Sequence, residues 1–219
     1  MSVEFERSSI GVSALSPTQS AVQAVYARLA PFYDIIYGTV LEHGRRRAIR
    51  ALAPAPGESI LEVGVGTGLS ALLYPNGCRV AAIDLSAPML TRARARLERH
   101  APTDVRLCRM DAACLAFRDA QFDAVYAPYV LNVVPDPIRV AREMQRVCRP
   151  DGRIVLLNHF DAADASPVDR VVGRMARLVS GVNWHIDLQA FLRDVNLVAV
   201  SVEPVNVPRV STVVVCRPR

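Results

Sequence analysis

Apolar and polar positions alternate with two different periods along this chain. From Thr18 onward, Val22, Val25, Tyr26 and Leu29 return at intervals of three and four, the spacing of one helix face. Thr18 offers a hydroxyl to cap that helix, and Pro31 ends it. A second helical stretch runs from Tyr33 through Arg45, Arg46, Arg47 and Arg50, and Pro54 and Pro56 mark a linker. Residues 1–17 show no sustained period and read as a mobile tail. The expected organisation is therefore a tail over 1–17, a helical cap over 18–56 and a main domain over 57–219.

After Gly57 the pattern changes to short apolar runs of strand length at 59–63, 79–83, 105–110, 122–126 and 153–157. Helices are expected after the glycine-rich stretch 64–68, at 88–100 and at 137–149, the last stopped by Pro150 and Gly152. Strands alternating with helices imply a parallel sheet covered on both faces. The ending differs: 197–202 and 210–216 read as two strands with no helix between them, an antiparallel pair added at the sheet edge. The expected fold class is α/β. It is a Rossmann-like, doubly wound, mostly parallel seven-stranded sheet with that antiparallel C-terminal pair, and N-terminal helices cover the site.

Composition changes this picture little. A chain of 219 residues suffices for one domain with a sizeable core. No apolar run approaches the roughly 18 residues that cross a bilayer, and the first residues lack a signal-peptide pattern, so a cytoplasmic location is expected. The five cysteines form no close pair, which argues for buried thiols rather than a disulfide framework, and no metal-ligand set is read. Every basic residue is arginine, and the net charge of +5 favours anionic partners weakly. The helical pattern at 167–180 sets Arg170, Arg174 and Arg177 beside Val171, Met175 and Leu178. That suits either an interfacial helix or an ordinary solvated face, and the cluster Arg45, Arg46 and Arg47 admits the same two readings.

The chemistry concentrates at Glu62-Val-Gly64-Val-Gly66-Thr-Gly68, directly after a strand. Glycines let the backbone turn tightly and let a ligand lie against it. Asp84 ends the next strand, where a carboxylate accepts hydrogen bonds from ribose hydroxyls. The GxGxG spacing after Glu62 is not the GxGxxG that seats a pyrophosphate on a helix N-terminus.

That motif resembles the first motif of class I methyltransferases, which use S-adenosylmethionine and leave S-adenosylhomocysteine. The resemblance implies that Asp84, Leu85 and Met89 form the ribose and adenosine turn. It implies that Asp111 and Ala112 meet the adenine, and that Ala127 and Tyr129 line the methyl-transfer side. A narrower resemblance covers most of the chain. Tyr26-Ala-Arg-Leu-Ala-Pro31-Phe-Tyr33-Asp34, Gly44-Arg-Arg-Arg, Asn132-Val-Val-Pro135 and Leu157-Asn158-His159-Phe160 are similar to the bacterial soluble phosphatidylethanolamine N-methyltransferases. That family makes phosphatidylcholine by successive methylations and docks on anionic membranes through its N-terminal helix. Leu29 stands where the family usually carries tryptophan.

His159 follows the fifth strand, at the edge where doubly wound sheets bind ligands. It either holds a proton near the acceptor or fixes a loop by hydrogen bonds. Tyr33 either covers the cofactor or packs as half-buried core. The expected activity is S-adenosylmethionine-dependent methylation of a phospholipid amine, at the inner membrane face, or else of a small soluble amine, thiol or hydroxyl compound. Binding without catalysis, or action on nucleic acid, finds no motif in its favour. The oligomeric state is not legible.

Overall fold

The apolar run Ser59–Val63 forms β1, buried at four of its five positions, as a strand covered on both faces must be. In a computed structural model that describes residues 41–100, 104–160, 186–206 and 211–218, β1 lies inside a seven-stranded sheet. Its neighbours are β2 (Arg79–Asp84) and β4 (Phe122–Pro128), both parallel to it. Parallel β3 (Asp104–Arg109) flanks β2, and parallel β5 (Cys148–Asn158) flanks β4. Then β7 (Ser211–Pro218) and β6 (Leu197–Val205) close the order β3-β2-β1-β4-β5-β7-β6, antiparallel as expected. The tail and the helical pattern expected before residue 41, with Tyr26 and Tyr33, and the arginine-bearing pattern at 167–180 lie outside the described residues.

Alternation along the strands sorts the core onto two faces. Leu61, Val63, Val125, Ile154 and Leu156 pack on one side with Val140 and Met144 of α3 (Pro137–Val147). Ile60, Ala124, Tyr126, Val155 and Leu157 pack on the other with Ala48, Ile49 and Leu52 of α1 (Glu42–Leu52). Each fully buried leucine or isoleucine contributes roughly 1.5–3 kcal/mol of transfer free energy. α1 stops at Ala53, which takes a left-handed conformation at φ 47° just before Pro54. α2 (Ala87–His100) buries Met89, Ala93 and Leu97 at intervals of four and leaves Arg92, Arg94 and Arg99 in solvent. A short α4 (Leu188–Asp194) precedes β6, capped by the Asp187 side chain.

Two expected helices need correction, and the connection before β4 shows how a stretch without a helix is held. The helix after the glycine-rich stretch is only a 3-10 turn, Ser70–Leu73, because Pro75 and Gly77 follow too closely for more. No helix separates β3 from β4. Residues 110–121 are turns, and side chains of α3 bind their backbone instead. Arg139 donates to the Ala113 carbonyl at 2.9 Å. Arg146 donates to the carbonyls of Leu115 and Phe117 at 2.9 and 2.8 Å. Glu143 accepts from the Leu115 N–H at 2.8 Å. The backbone groups that a helix would pair internally thus find partners elsewhere.

Finally, α3 ends at Val147 rather than Arg149, and β5 begins at Cys148. Pro150 and Gly152 lie within that strand. The register passes from Phe122↔Cys148 to Ala124↔Arg153, so the residues between them bulge out of the ladder, where proline loses no strand hydrogen bond. A Cβ on Gly152 would stand 2.7 Å from the Cys148 sulfur and 2.8 Å from the Asp123 carbonyl oxygen, so only glycine fits. The thiols also divide. Cys78, Cys148 and Cys216 are buried, whereas Cys108 and Cys114 are exposed. Burial pushes the Cys148 and Cys216 thiols up to about 12.

Candidate active site

The parallel strands end together along one edge. There Gly64, Met110, Tyr129 and His159 follow β1, β3, β4 and β5, and Asp84 ends β2. The strand order reverses between β1 and β4, which is where doubly wound sheets open a ligand crevice.

Gly64, Gly66 and Gly68 have φ of 75°, 55° and 81°, the left-handed region that L side chains resist. Their reasons for being glycine differ. A Cβ on Gly64 would lie 2.9 Å from Val130, and one on Gly68 would lie 3.2 Å from the Ala93 backbone. A Cβ on Gly66 would meet no atom of the described residues within 4 Å, so its bare backbone borders open space among them. The N–H groups of Gly64 and Val65 both reach the Ile83 carbonyl at 2.9 Å, binding the loop to the end of β2. Asp84 accepts from the Gly66 N–H at 2.9 Å and from the Ser86 N–H at 2.8 Å. Burial raises its carboxyl, and these N–H donors pull it back down. Each carboxylate oxygen keeps a further acceptor site for a ligand hydroxyl.

Glu62 is fully buried, and among the described residues neither of its oxygens has a hydrogen-bond partner. Desolvation raises its carboxyl to about 7, against the opposing pull of the nearby Tyr74 and Ser70 hydroxyls and of Arg45. A buried carboxylate beside a glycine loop needs a polar or cationic partner, and a ligand ammonium would supply one.

The other residues expected on the cofactor side lie on the neighbouring turns and strands. The Leu85 carbonyl accepts from Arg109 at 3.1 Å, and Met89 is buried at the start of α2. The Met110 N–H reaches the Asp84 carbonyl at 3.1 Å, which places Asp111 and Ala112 next to the β2 turn. Asp111 caps its own turn by accepting from the Ala113 N–H at 2.8 Å. Ala127 is buried within β4 and its carbonyl receives the Asn158 amide at 3.3 Å, so it supports the edge from inside.

Tyr129 and His159 come together on the other side, with ring centroids 5.4 Å apart. Tyr129 holds φ 56°, strained for a residue with a side chain, and its N–H bonds to the Leu157 carbonyl at 2.6 Å. The Asn132 amide clamps the His159 backbone at both ends, accepting from its N–H and donating to its carbonyl, each at 3.0 Å. Arg45 is buried, with its guanidinium carbon 5.6 Å from the Tyr129 ring centroid. The arginine cluster therefore splits. Arg46 pairs with Glu42 at 2.6 Å in solvent, Arg47 pairs with Glu203, and only Arg45 points inward.

Sequence reading missed Arg45 as a buried group, and it missed Asn206 and Ser211 altogether. Asn206 accepts from the Gly44 N–H at 2.8 Å and donates to Tyr129 at 3.1 Å and to Ser211 at 2.9 Å. These residues lie at the β6–β7 end, and nothing in local spacing marks them. Gly44 had no evident reason in the sequence. Here a Cβ on it would lie 2.9 Å from both the Asn206 and Tyr129 oxygens.

Comparison with known proteins agrees with this geometry. Residues 61–156 match the family model described as Methyltransferase domain. The chain is 45% identical over 168 residues to a phosphatidylethanolamine N-methyltransferase of Cereibacter sphaeroides, covering 76% of this chain and 81% of that one. It is 33% identical over 150 residues to a demethylmenaquinone methyltransferase of Renibacterium salmoninarum, covering 66% of this chain and 61% of that one. A solved S-adenosylmethionine-dependent methyltransferase from Aquifex aeolicus shares the fold, with a TM-score of 0.62, 16% identity and coverage of 83% of this chain and 93% of that one. The open backbone at Gly66, the acceptor capacity of Asp84 and the orphaned carboxylate of Glu62 fit S-adenosylmethionine, whose ribose and ammonium need such partners. The chain belongs to the class I S-adenosylmethionine-dependent methyltransferases, and it is an enzyme that takes a methyl acceptor.

Proposed function

We propose that this enzyme methylates the amine nitrogen of phosphatidylethanolamine and of its mono- and dimethylated intermediates, towards phosphatidylcholine. The observation that carries the reading is the 45% identity to the Cereibacter sphaeroides enzyme, across four-fifths of that protein's length. The acceptor side supports it chemically. A buried guanidinium at Arg45, with Tyr129 and His159 beside it, suits an acceptor that brings an anionic phosphodiester.

Bound S-adenosylmethionine supplies a methyl group on a sulfonium, already activated for displacement by a nitrogen lone pair. The protein's part is then orientation and exclusion of water. In this reading Asp84 holds the ribose hydroxyls. Gly64, Gly66 and Gly68 shape the backbone cradle, and Glu62 receives the ammonium. Leu85 and Met89 border the adenosine, Asp111 and Ala112 meet the adenine, Ala127 backs the site, and Tyr33 covers it. Tyr129 and His159 face the acceptor.

The test is a panel of acceptors offered to the purified enzyme with the cofactor. The panel holds phosphatidylethanolamine, its monomethyl and dimethyl derivatives, free ethanolamine and a demethylmenaquinone, with products read by mass. The reading expects mass gains of one methyl at a time on the three lipids. Methylation of the quinone or of free ethanolamine alone would replace it.

A further inference from the structure

The glycine loop after β1 is built from residues that resist order. Gly64, Gly66 and Gly68 alternate along it, and glycine loses more conformational freedom on folding than any other residue. A loop that stands ready for a ligand therefore has to be fastened from outside. One side is fastened to β2. The N–H groups of Gly64 and Val65 reach the Ile83 carbonyl at 2.9 Å, and the Gly66 N–H reaches Asp84 at 2.9 Å. The other side meets α2. A Cβ on Gly68 would lie 3.2 Å from the Ala93 Cα, so helix and loop touch there. Three residues further along the same face of α2, half-buried Arg96 donates from its guanidinium to the Thr67 carbonyl.

That bond fixes the orientation of one peptide. Because a peptide group is planar and trans, the Thr67 carbonyl and the Gly68 N–H point in opposite directions. The N–H bonds to the Val65 carbonyl at 3.0 Å and closes a turn, while the carbonyl bonds to Arg96. A flip of this plane changes mainly ψ of Thr67 and φ of Gly68, and glycine accepts either sign of φ. The residue that permits the close approach to Ala93 thus leaves its own peptide free to turn over. A charged donor on α2 holds it, and such hydrogen bonds are roughly twice as strong as neutral ones.

We propose that Arg96 is a positioning residue for the cofactor: by holding the Thr67 carbonyl it keeps the 64–68 loop in its binding shape before S-adenosylmethionine arrives. The role rests on the reading above that this loop cradles the cofactor. The fastening of the loop rests only on the hydrogen bonds. Without Arg96 the loop spends part of its time in other shapes, and the apparent affinity falls by the fraction that stays competent. The loss then shows in capture of the cofactor and not in its release, because the bound cofactor itself holds the loop.

Amide hydrogen exchange and cofactor-binding kinetics of the full-length protein test this together. Arg96→Ala keeps a strong helix former on α2, so the domain should stay folded. In the cofactor-free variant the Gly66 and Gly68 amides should exchange about tenfold faster, while the Leu97 amide of α2 keeps its rate. Affinity for S-adenosylmethionine should fall roughly tenfold, the equivalent of one lost hydrogen bond, through slower association at an unchanged dissociation rate. Arg96→Lys offers the same carbonyl a charged donor and should restore most of both. Arg99→Ala removes an equal charge from an exposed position of α2 and should change neither. Unchanged exchange at the loop amides, a loss carried by faster dissociation, or no recovery in Arg96→Lys would overturn the proposal. Asp84→Ala, titrated alongside, separates the two claims. Normal cofactor affinity in Arg96→Ala beside a loss in Asp84→Ala would overturn the proposal alone, whereas normal affinity in both would overturn the placement of the cofactor as well.

Discussion

The Gly66 N–H bonds to the Asp84 carboxylate at 2.9 Å, so the glycine loop after β1 is fastened to the end of β2 by the group proposed to hold the ribose. Removing that carboxylate should affect the loop and the ligand together. Asp84→Ala should lower cofactor affinity at least a hundredfold while the domain stays folded. Calorimetry checks the first outcome and thermal melting the second.

The three loop glycines should separate in mutants. Gly66→Ala meets no atom of the described residues within 4 Å and bears the left-handed penalty, about 1–2 kcal/mol, so its main effect should be on cofactor affinity. Gly68→Ala adds a clash with the Ala93 backbone at 3.2 Å, so its main effect should be on stability. Melting temperatures set beside cofactor titrations distinguish the two. Equal losses of affinity and stability in both variants would contradict the distinction.

Glu62 predicts a pH dependence of the cofactor-free protein. Its carboxyl is raised to about 7 in the folded state, whereas in the unfolded chain it titrates near 4.5. The folded state therefore binds the proton more tightly. This contribution to stability is full below about pH 4.5 and is lost as pH rises through about 7. The loss is on the order of 3 kcal/mol at its greatest. Glu62→Gln should remove it, so the variant should gain stability relative to wild type at pH 8 but not at pH 4.5. It should also bind the cofactor more weakly. Denaturant melts at the two pH values supply the measurement.

Gly44→Ala places a methyl 2.9 Å from the Asn206 and Tyr129 oxygens in a buried network, and Arg45 follows in the same helix turn. Overpacking of this kind costs about 1–3 kcal/mol. Turnover should fall more than cofactor affinity, because the residues displaced stand on the side proposed to receive the acceptor. Steady-state kinetics with a cofactor titration decide between the two.

Much of the fold was legible because it depends on local periods. Apolar runs of strand length, the glycine motif and the paired C-terminal strands each mark themselves within a few residues. The glycine loop and its tie to Asp84 were legible for the same reason, since Glu62, Gly64, Gly66, Gly68 and Asp84 sit at fixed offsets from β1 and β2. What stayed illegible depends on distant chemistry. Arg139, Glu143 and Arg146 hold the helix-free connection before β4, and no local spacing shows those bonds. Arg45 reads as one of three alike arginines until α1 turns it under the sheet edge. Asn206 acts on Gly44 across 162 positions of sequence, so only the folded chain shows the contact.

The acceptor itself gives the most direct test. The purified enzyme should be incubated with methyl-labelled S-adenosylmethionine and a total cell extract, then partitioned between chloroform and water. The account predicts label in the organic phase, comigrating with mono-, di- and trimethylated phosphatidylethanolamine. Label confined to water-soluble products, or to a quinone fraction, would contradict it.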